Sequence, residues 1–309
     1  MSGDTLKRRY RRAVERLAER AESDGTLIGL YVYGSAHRGD VWEHSDIDAV
    51  FVTSDERRPW ETYALVEDGL FVAAEVCSRR HFRQIHERNL RGSSVHQIFS
   101  TGAFAYSTDA ALEEYLDEAT AVGERDLEFL RLQTGLSLGG YIHGITKAIE
   151  VRSDAITAFR WTLHALEAVA SLVVLEHDQA LCRETVSRAH GLDPSFSELW
   201  ARAIRAHGSL SELQEIRQLL EERLERDSPV LFKPVLDYLR EERVVRTATE
   251  LQRAIGARIG SPDVAHGICM GCNLLADMNL IERTTVPVRL TRKGRVEFDE
   301  AAYFYGGEA

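Results

Sequence analysis

The chain has little that would suit it to life outside a reducing cell. Its 309 residues hold four cysteines, of which only Cys269 and Cys272 lie near each other, so no disulfide framework can be read from their spacing. The N-terminus lacks an apolar signal core and is highly charged over Lys7-Arg-Arg-Tyr-Arg-Arg12, which argues against secretion. The most apolar helix-like run, Ala165 to Leu175, is too short to span a bilayer and contains Glu167. No internal repeat or low-complexity tract interrupts the chain. These absences predict a cytoplasmic protein with no membrane partner. What is present is ordinary for a soluble globular protein: 44% hydrophobic and 28% charged residues, in a chain long enough for two or three domains.

Basic charge is also in deficit. The formal net charge is −11, and residues 228–309 are neutral, with 11 Lys+Arg against 11 Asp+Glu. The whole excess of acid therefore sits in the first 227 residues. Such a body repels phosphate backbones in bulk, so DNA binding is possible but not favoured. A small cationic molecule would be attracted to it.

Two stretches organise the rest. Apolar residues from Leu27 to Tyr33 run into Gly34-Ser35, the mark of a buried strand breaking at a tight turn. After Ser45, Asp46 and Asp48 open a second apolar run that ends at Val52. Alternate strand residues face one side, so these two carboxylates project together while Ile47 points into the core. Crowded carboxylates repel each other unless a cation neutralises them, and oxygen-only ligands suit a hard ion such as magnesium. A third carboxylate, Glu75, interrupts the later apolar run from Leu70 to Cys77.

Gly-Ser, then Asp-x-Asp, then a lone acid on the following strand resembles the nucleotidyltransferase superfamily to which DNA polymerase beta belongs. The resemblance implies an α+β fold, a mixed sheet with flanking helices, and transfer of a nucleoside monophosphate from a nucleoside triphosphate such as ATP. It further implies two magnesium ions held by Asp46, Asp48 and Glu75, with Gly34, Ser35 and Ser45 at the nucleotide. Gly34 would let the backbone approach the phosphates, and Ser35 would donate to them. Arg38 is the nearest cation for the leaving pyrophosphate, and equally a solvated turn arginine.

Leu6, Tyr10, Val14 and Leu17 recur at helical spacing and predict an amphipathic helix ending near Gly25. Further elements are expected as a short helix and loop over Ala36–His44, a short paired strand or turn within Trp60–Leu70, a helix over Arg79–Asn89, a strand over Gly102–Tyr106 and a helix from Leu112. The catalytic domain is expected over residues 1–120 and a helical bundle over 121–227. This layout is similar to that of the kanamycin nucleotidyltransferases, on Val32-Tyr-Gly-Ser35, Ser45-Asp-Ile-Asp48, the Ala103–Asp109 segment and Gly144-Ile-Thr-Lys147. In that family a glutamate one turn before a lysine is the general base. Lys147 matches the lysine, but His143 stands where the glutamate would be. A histidine can take a hydroxyl proton near neutral pH, and residues at i and i+4 share a helix face. The same residue reads as a polar bundle histidine without a role, with Glu150 and Asp154 as neighbouring acids.

Residues 228–309 change style. Val235–Leu239 sits on one helix, Thr247-Ala-Thr-Glu250 offers a capping box for a second, and Ser261-Pro262 would open a third. Leu280–Glu282 and Val286–Leu290 read as two strands and Thr291–Gly294 as a turn, and this helix-helix-helix-hairpin order resembles a winged-helix domain. The third helix, Val264 to Asn279, has no Lys or Arg, which is unlike a helix that reads base edges. Its His266-x-x-Cys269-x-x-Cys272 is read as core and surface residues, because no second ligand pair follows at structural-zinc distance. The reading as a whole is a transferase acting on a hydroxyl-bearing acceptor such as an aminoglycoside, as a homodimer. The rivals are an enzyme that adenylylates or tails a protein or tRNA, as in toxin–antitoxin systems, and a nucleotide-sensing winged-helix regulator.

Overall fold

Leu6, Tyr10, Ala13, Leu17 and Ala21 form the buried stripe of helix α1 (Gly3–Ser23). Their spacing of three and four residues turns one face to the sheet and leaves the arginines outside. The computed structural model describes residues 3–88, 90–120, 122–256, 264–291 and 293–306. The chain forms two compact units, Met1–Gly123 and Glu124–Ala309.

In the first unit, α1 is followed by β1 (Leu27–Tyr33), α2 (Gly34–Arg38), β2 (Ile47–Thr53), β3 (Glu61–Glu67) and β4 (Leu70–Ser78). Then come α3 (Arg79–Arg88), α4 (Ser94–Ser100), β5 (Ala103–Ser107) and α5 (Ala110–Thr120). The five strands lie in the order β3-β4-β2-β1-β5; only β2 and β4 run parallel. One face, with Leu30, Val32, Ile47, Ala49, Val72 and Ala74, packs against α1. The opposite face carries Tyr31, Val50, Val52 and Cys77, covered by Phe82 of α3 and by Leu112 and Leu116 of α5. Strand alternation thus sets Ile47 in one core and Asp48 on the other side, as the sequence pattern requires.

The Trp60–Leu70 stretch holds a full seven-residue edge strand, β3, joined to β4 by Asp68-Gly69. Both turn residues have positive φ (55° and 71°), the two-residue hairpin geometry that Asp-Gly favours. Arg9 Nη2 donates to the Asp68 carbonyl at 2.8 Å and Arg16 pairs with its carboxylate at 2.9 Å, which ties the turn to α1.

The second unit begins with α6 (Glu124–Thr146), which runs into a π-helical turn at Lys147–Val151, and α7 (Ala155–Glu176). There follow α8 (Thr185–Leu192), α9 (Pro194–Arg205) and α10 (Leu210–Leu231). The α10 helix passes without a break through residue 228, where the sequence reading starts a third domain. Helix α7 is long and apolar enough to cross a membrane, the only such helix among the described residues, and 61% of its most apolar window is buried inside the protein. Asp154 caps it, accepting from Thr157 N at 3.0 Å.

The C-terminal segment contributes α11 (Lys233–Glu242), β6 (Arg246–Thr247), α12 (Ala248–Leu251), α13 (Val264–Asp277), β7 (Glu282–Val288) and β8 (Phe298–Phe304), with strand order β6-β8-β7. Thr247 and Glu250 form both halves of the expected capping box. The two short runs expected as separate strands correspond to one strand, β7, and its partner is β8, whose alternation of acidic and apolar residues is weak. Ser261-Pro262, Asn89 and Arg292 fall outside the described residues, as does the side chain of His266. Cys272 is buried, and burial raises its thiol pKa well above the ordinary value. Cys269 Sγ lies 3.5 Å from Tyr303 Oη.

Candidate active site

The turn from β1 into α2 makes the first wall of the site. Gly34 sits there with φ +69°, which strains any residue bearing a side chain. A Cβ at Gly34 would also lie on Asp48 Oδ2, well inside contact distance. The register agrees: Tyr33 stands opposite Asp48 across the β1–β2 ladder. Ser35 is the second residue of α2, and its carbonyl accepts the N–H of Gly39 at 2.9 Å to close that short helix. Arg38 at its end is exposed and pairs with Asp40 at 3.1 Å.

The loop into β2 makes the second wall. Tyr10 reaches up from α1 and donates its hydroxyl to the carbonyls of Ser45 at 2.5 Å and Trp42 at 3.2 Å. The Ser45 hydroxyl in turn accepts the N–H of Trp42 at 3.0 Å. Asp46, one residue on, is thereby held at the mouth of the strand. Burial raises the pKa of Tyr10, and the charge of Asp46 adds to that rise, against a lowering by Arg9.

Strand β4 brings the third carboxylate. In the parallel β2–β4 ladder Asp48 is level with Ala73 and Val50 with Glu75, so Glu75 shares the Asp48 face one pleat further along. The Glu75 pKa is raised, first by burial and then by the Asp48 charge, while a hydrogen bond from the Trp60 side chain lowers it. Its Oε2 is buried and has no hydrogen-bond partner among the described residues. Tyr33 feels all three acids: burial raises its pKa well above the phenol range, and Glu75, Asp48 and Asp46 add to the shift. Among the described residues no three His, Cys, Asp or Glu side chains are set closely enough to hold a metal ion as they stand.

The structure therefore brings Gly34, Asp48 and Glu75 together, with Ser35, Ser45 and Asp46 around them. It ties Arg38 to Asp40. His143 and Lys147 belong to the second unit, on the last turn of α6 and at the start of the π-helical turn, and both side chains are exposed. Of the neighbouring acids, Glu150 lies 3.8 Å from Arg217 and Asp154 serves as the cap of α7. Three residues were not legible as site residues: Tyr10, whose hydroxyl is invisible behind its role in the apolar stripe, Tyr33 and Trp60. The one available signal was Trp60 beside a strand that carries a lone acid.

Comparison with known proteins agrees with this geometry. Residues 15–111 match the family model for the polymerase beta nucleotidyltransferase domain. A nucleotidyltransferase-like protein from Exiguobacterium sibiricum superposes with a TM-score of 0.67 at 16% identity, over 96% of this chain and 99% of that one. No curated protein matches the chain. Residues 15–111 hold Gly34, Asp46, Asp48 and Glu75, and form a nucleotidyltransferase domain of the polymerase beta type. A domain of that type supports a nucleotidyl-transferring enzyme.

Proposed function

We propose that the first unit transfers a nucleoside monophosphate, AMP from ATP, to a hydroxyl of a small-molecule acceptor such as an aminoglycoside, using two magnesium ions. The observation that carries this reading is the buried, unpartnered Glu75 Oε2 on the same sheet face as Asp48. A carboxylate oxygen without a donor, in the field of a second carboxylate, fits a cation. Asp46, Asp48 and Glu75 would hold the ions, which when bound supply positive charge at the attacking and leaving oxygens. Gly34 leaves the Asp48 carboxylate the volume a side chain would take, its bare backbone would face the phosphates, and Ser35 and Ser45 offer hydroxyls. In the reaction the acceptor oxygen bonds to the α-phosphorus, the bond to pyrophosphate breaks, and the acceptor proton leaves. His143 is the proposed base for that proton and Lys147 the proposed phosphate contact, one helical turn apart on exposed positions. Arg38 would contact pyrophosphate only by leaving Asp40. A cytoplasmic homodimer is the proposed setting.

A second reading has one observation in its favour. A cleft of about 490 Å³ beside α2 is lined by Lys7, Arg11, His37 and the Asp40-paired Arg38, with no carboxylate in its wall among the described residues. That supports an anionic acceptor such as tRNA, the alternative in which the enzyme adds nucleotides to a macromolecule. The helix, strand, helix, helix, hairpin order of the C-terminal segment supports a winged-helix assignment, and with it a regulator that senses nucleotide. Incubation with radiolabelled triphosphates and magnesium, offering aminoglycosides, bulk tRNA and cell lysate in parallel, separates these. Label on an aminoglycoside in the wild type but not in Asp48→Asn supports the first reading. Label on tRNA supports the second, and no label on any acceptor excludes both.

A further inference from the structure

Helix α6 carries four glycines in ten residues, Gly135, Gly139, Gly140 and Gly144. A glycine in a helix interior is destabilising by roughly 0.5–1 kcal/mol relative to alanine, so each asks for a reason. Two have one in packing. A Cβ at Gly135 would stand 3.2 Å from Leu231 Cβ, and one at Gly144 would stand 2.8 Å from the Trp161 ring. The other two do not. A Cβ at Gly139 would meet only Leu224 at 3.7 Å, and one at Gly140 would meet nothing within 4 Å. Both instead line a half-open cavity of about 640 Å³ in the second unit, walled by α6, α10, Phe232 and α13. That is within the usual size of a small-molecule site.

The wall of this cavity has a definite chemistry. Leu136, Leu224, Phe232, Met270 and Leu274 give it an apolar interior. Its polar edge holds Glu221, Glu225 and Asp277 together with His143, Thr146 and Asn273, and among the described residues no Lys or Arg lines it. Arg217 partly neutralises Glu221 at 2.5 Å, and Arg283 lies 3.8 Å from Asp277. Glu225 takes part in no ion pair among the described residues. An apolar chamber rimmed by carboxylates favours an apolar body ending in a protonated amine.

We propose that the second unit binds a small amphipathic amine in this cavity, with its ring or hydrocarbon against Gly139, Gly140 and Leu224 and its ammonium at Glu225 and Asp277. The ligand would touch the bundle helices and α13 at once. Its binding would therefore fasten the C-terminal segment to the bundle. His143, the proposed base of the transfer reaction, also lines this cavity, and amine binding is therefore tested by affinity alone, without turnover.

The test uses the full chain and three probes of one shape: tryptamine, neutral tryptophol and anionic indole-3-acetate, measured by calorimetry at low salt. Tryptamine is expected to bind about fivefold or more tighter than tryptophol, with indole-3-acetate weakest. Gly140→Leu fills the chamber from a position with free space around it. It is expected to weaken all three probes at least tenfold without lowering Tm, since leucine is the better helix former. Glu225→Gln is expected to shrink the tryptamine preference and leave tryptophol unchanged. Equal affinity for the three probes, no binding of tryptamine at millimolar concentration, or undiminished binding by Gly140→Leu would each overturn the proposal. Where Gly140→Leu does not fold, an unaltered preference in both Glu225→Gln and Asp277→Asn overturns it as well.

Discussion

Gly34 and Asp48 use a single volume: the Asp48 carboxylate occupies the place that a side chain at Gly34 would take. The glycine is needed twice over, once for a φ of +69° and once for that space. Gly34→Ala should therefore destabilise the fold by about 1–3 kcal/mol through backbone strain and overlap. It should also push Asp48 off its position, so that nucleotide transfer falls further than stability alone explains. Urea unfolding together with turnover checks this, and an alanine variant with normal turnover would break the link.

Asp48 and Glu75 make opposite demands on the metal-free protein and on the enzyme. The Glu75 carboxylate is one the metal-free fold would be easier without. Burial and the Asp48 charge raise the Glu75 pKa above its ordinary 4.5. A raised folded-state value means that the folded protein binds the proton more tightly than the unfolded chain does. The stability contribution is then fully present below about pH 4.5 and is lost as pH rises through the raised value. In chelator, Glu75→Gln should thus match the wild type in acid and gain Tm relative to it toward neutrality. Transfer should meanwhile fall by more than about a hundredfold, beyond the effect of losing an outer-shell partner of a metal ligand. A variant that loses stability at pH 7 in chelator would contradict the crowding of these two acids.

Much of this site was legible because strand geometry leaves few choices. Alternation alone set Asp48 opposite Ile47, and Gly-Ser after a buried run marked the turn that faces it. The amphipathic spacing of Leu6, Tyr10 and Leu17 likewise specified α1. What escaped was whatever depends on partners far along the chain. Nothing near Tyr10 reveals that its hydroxyl holds carbonyls 32 and 35 residues away. β3 was half hidden because it is an edge strand with five consecutive exposed residues, so it lacks an apolar face to betray it. β8 was missed because its first half is acidic and exposed, and its pairing with β7 rather than an apolar pattern makes it a strand.

Tyr10→Phe tests the long-range hold on Asp46. The ring stays in the core, and only the hydroxyl that serves Ser45 and Trp42 is removed. A net loss of about 0.5–1.5 kcal/mol is expected from the missing hydrogen bonds. The loop carrying Asp46 loosens, so the apparent magnesium affinity should drop while transfer at saturating magnesium recovers most of its rate. A Tyr10→Phe enzyme with unchanged magnesium dependence would show that the loop is held by other means.

The C-terminal segment should bind DNA weakly and without sequence preference. The described part of α13 presents no Lys or Arg, so base edges and phosphates would have to be met by the hairpin between β7 and β8. There Arg289 is already engaged, with Nη2 2.8 Å from Glu297 Oε1 and Nε at 3.0 Å. Each phosphate contact that releases a counterion steepens the salt dependence by about 0.9 in log–log slope. With Arg289, Arg292, Lys293 and Arg295 as the phosphate contacts, the slope would be about −4, against roughly −10 for a repressor that binds its operator tightly. Removing residues 228–309 would also take away Leu231, Phe232, Val235 and Leu236, which are all buried. Thermal stability should therefore fall sharply on truncation, while duplex affinity, measured by fluorescence anisotropy across a salt series, changes little. Nanomolar binding of the full chain to one duplex over a scrambled one at physiological salt would overturn this expectation and move the C-terminal segment into the class of DNA readers.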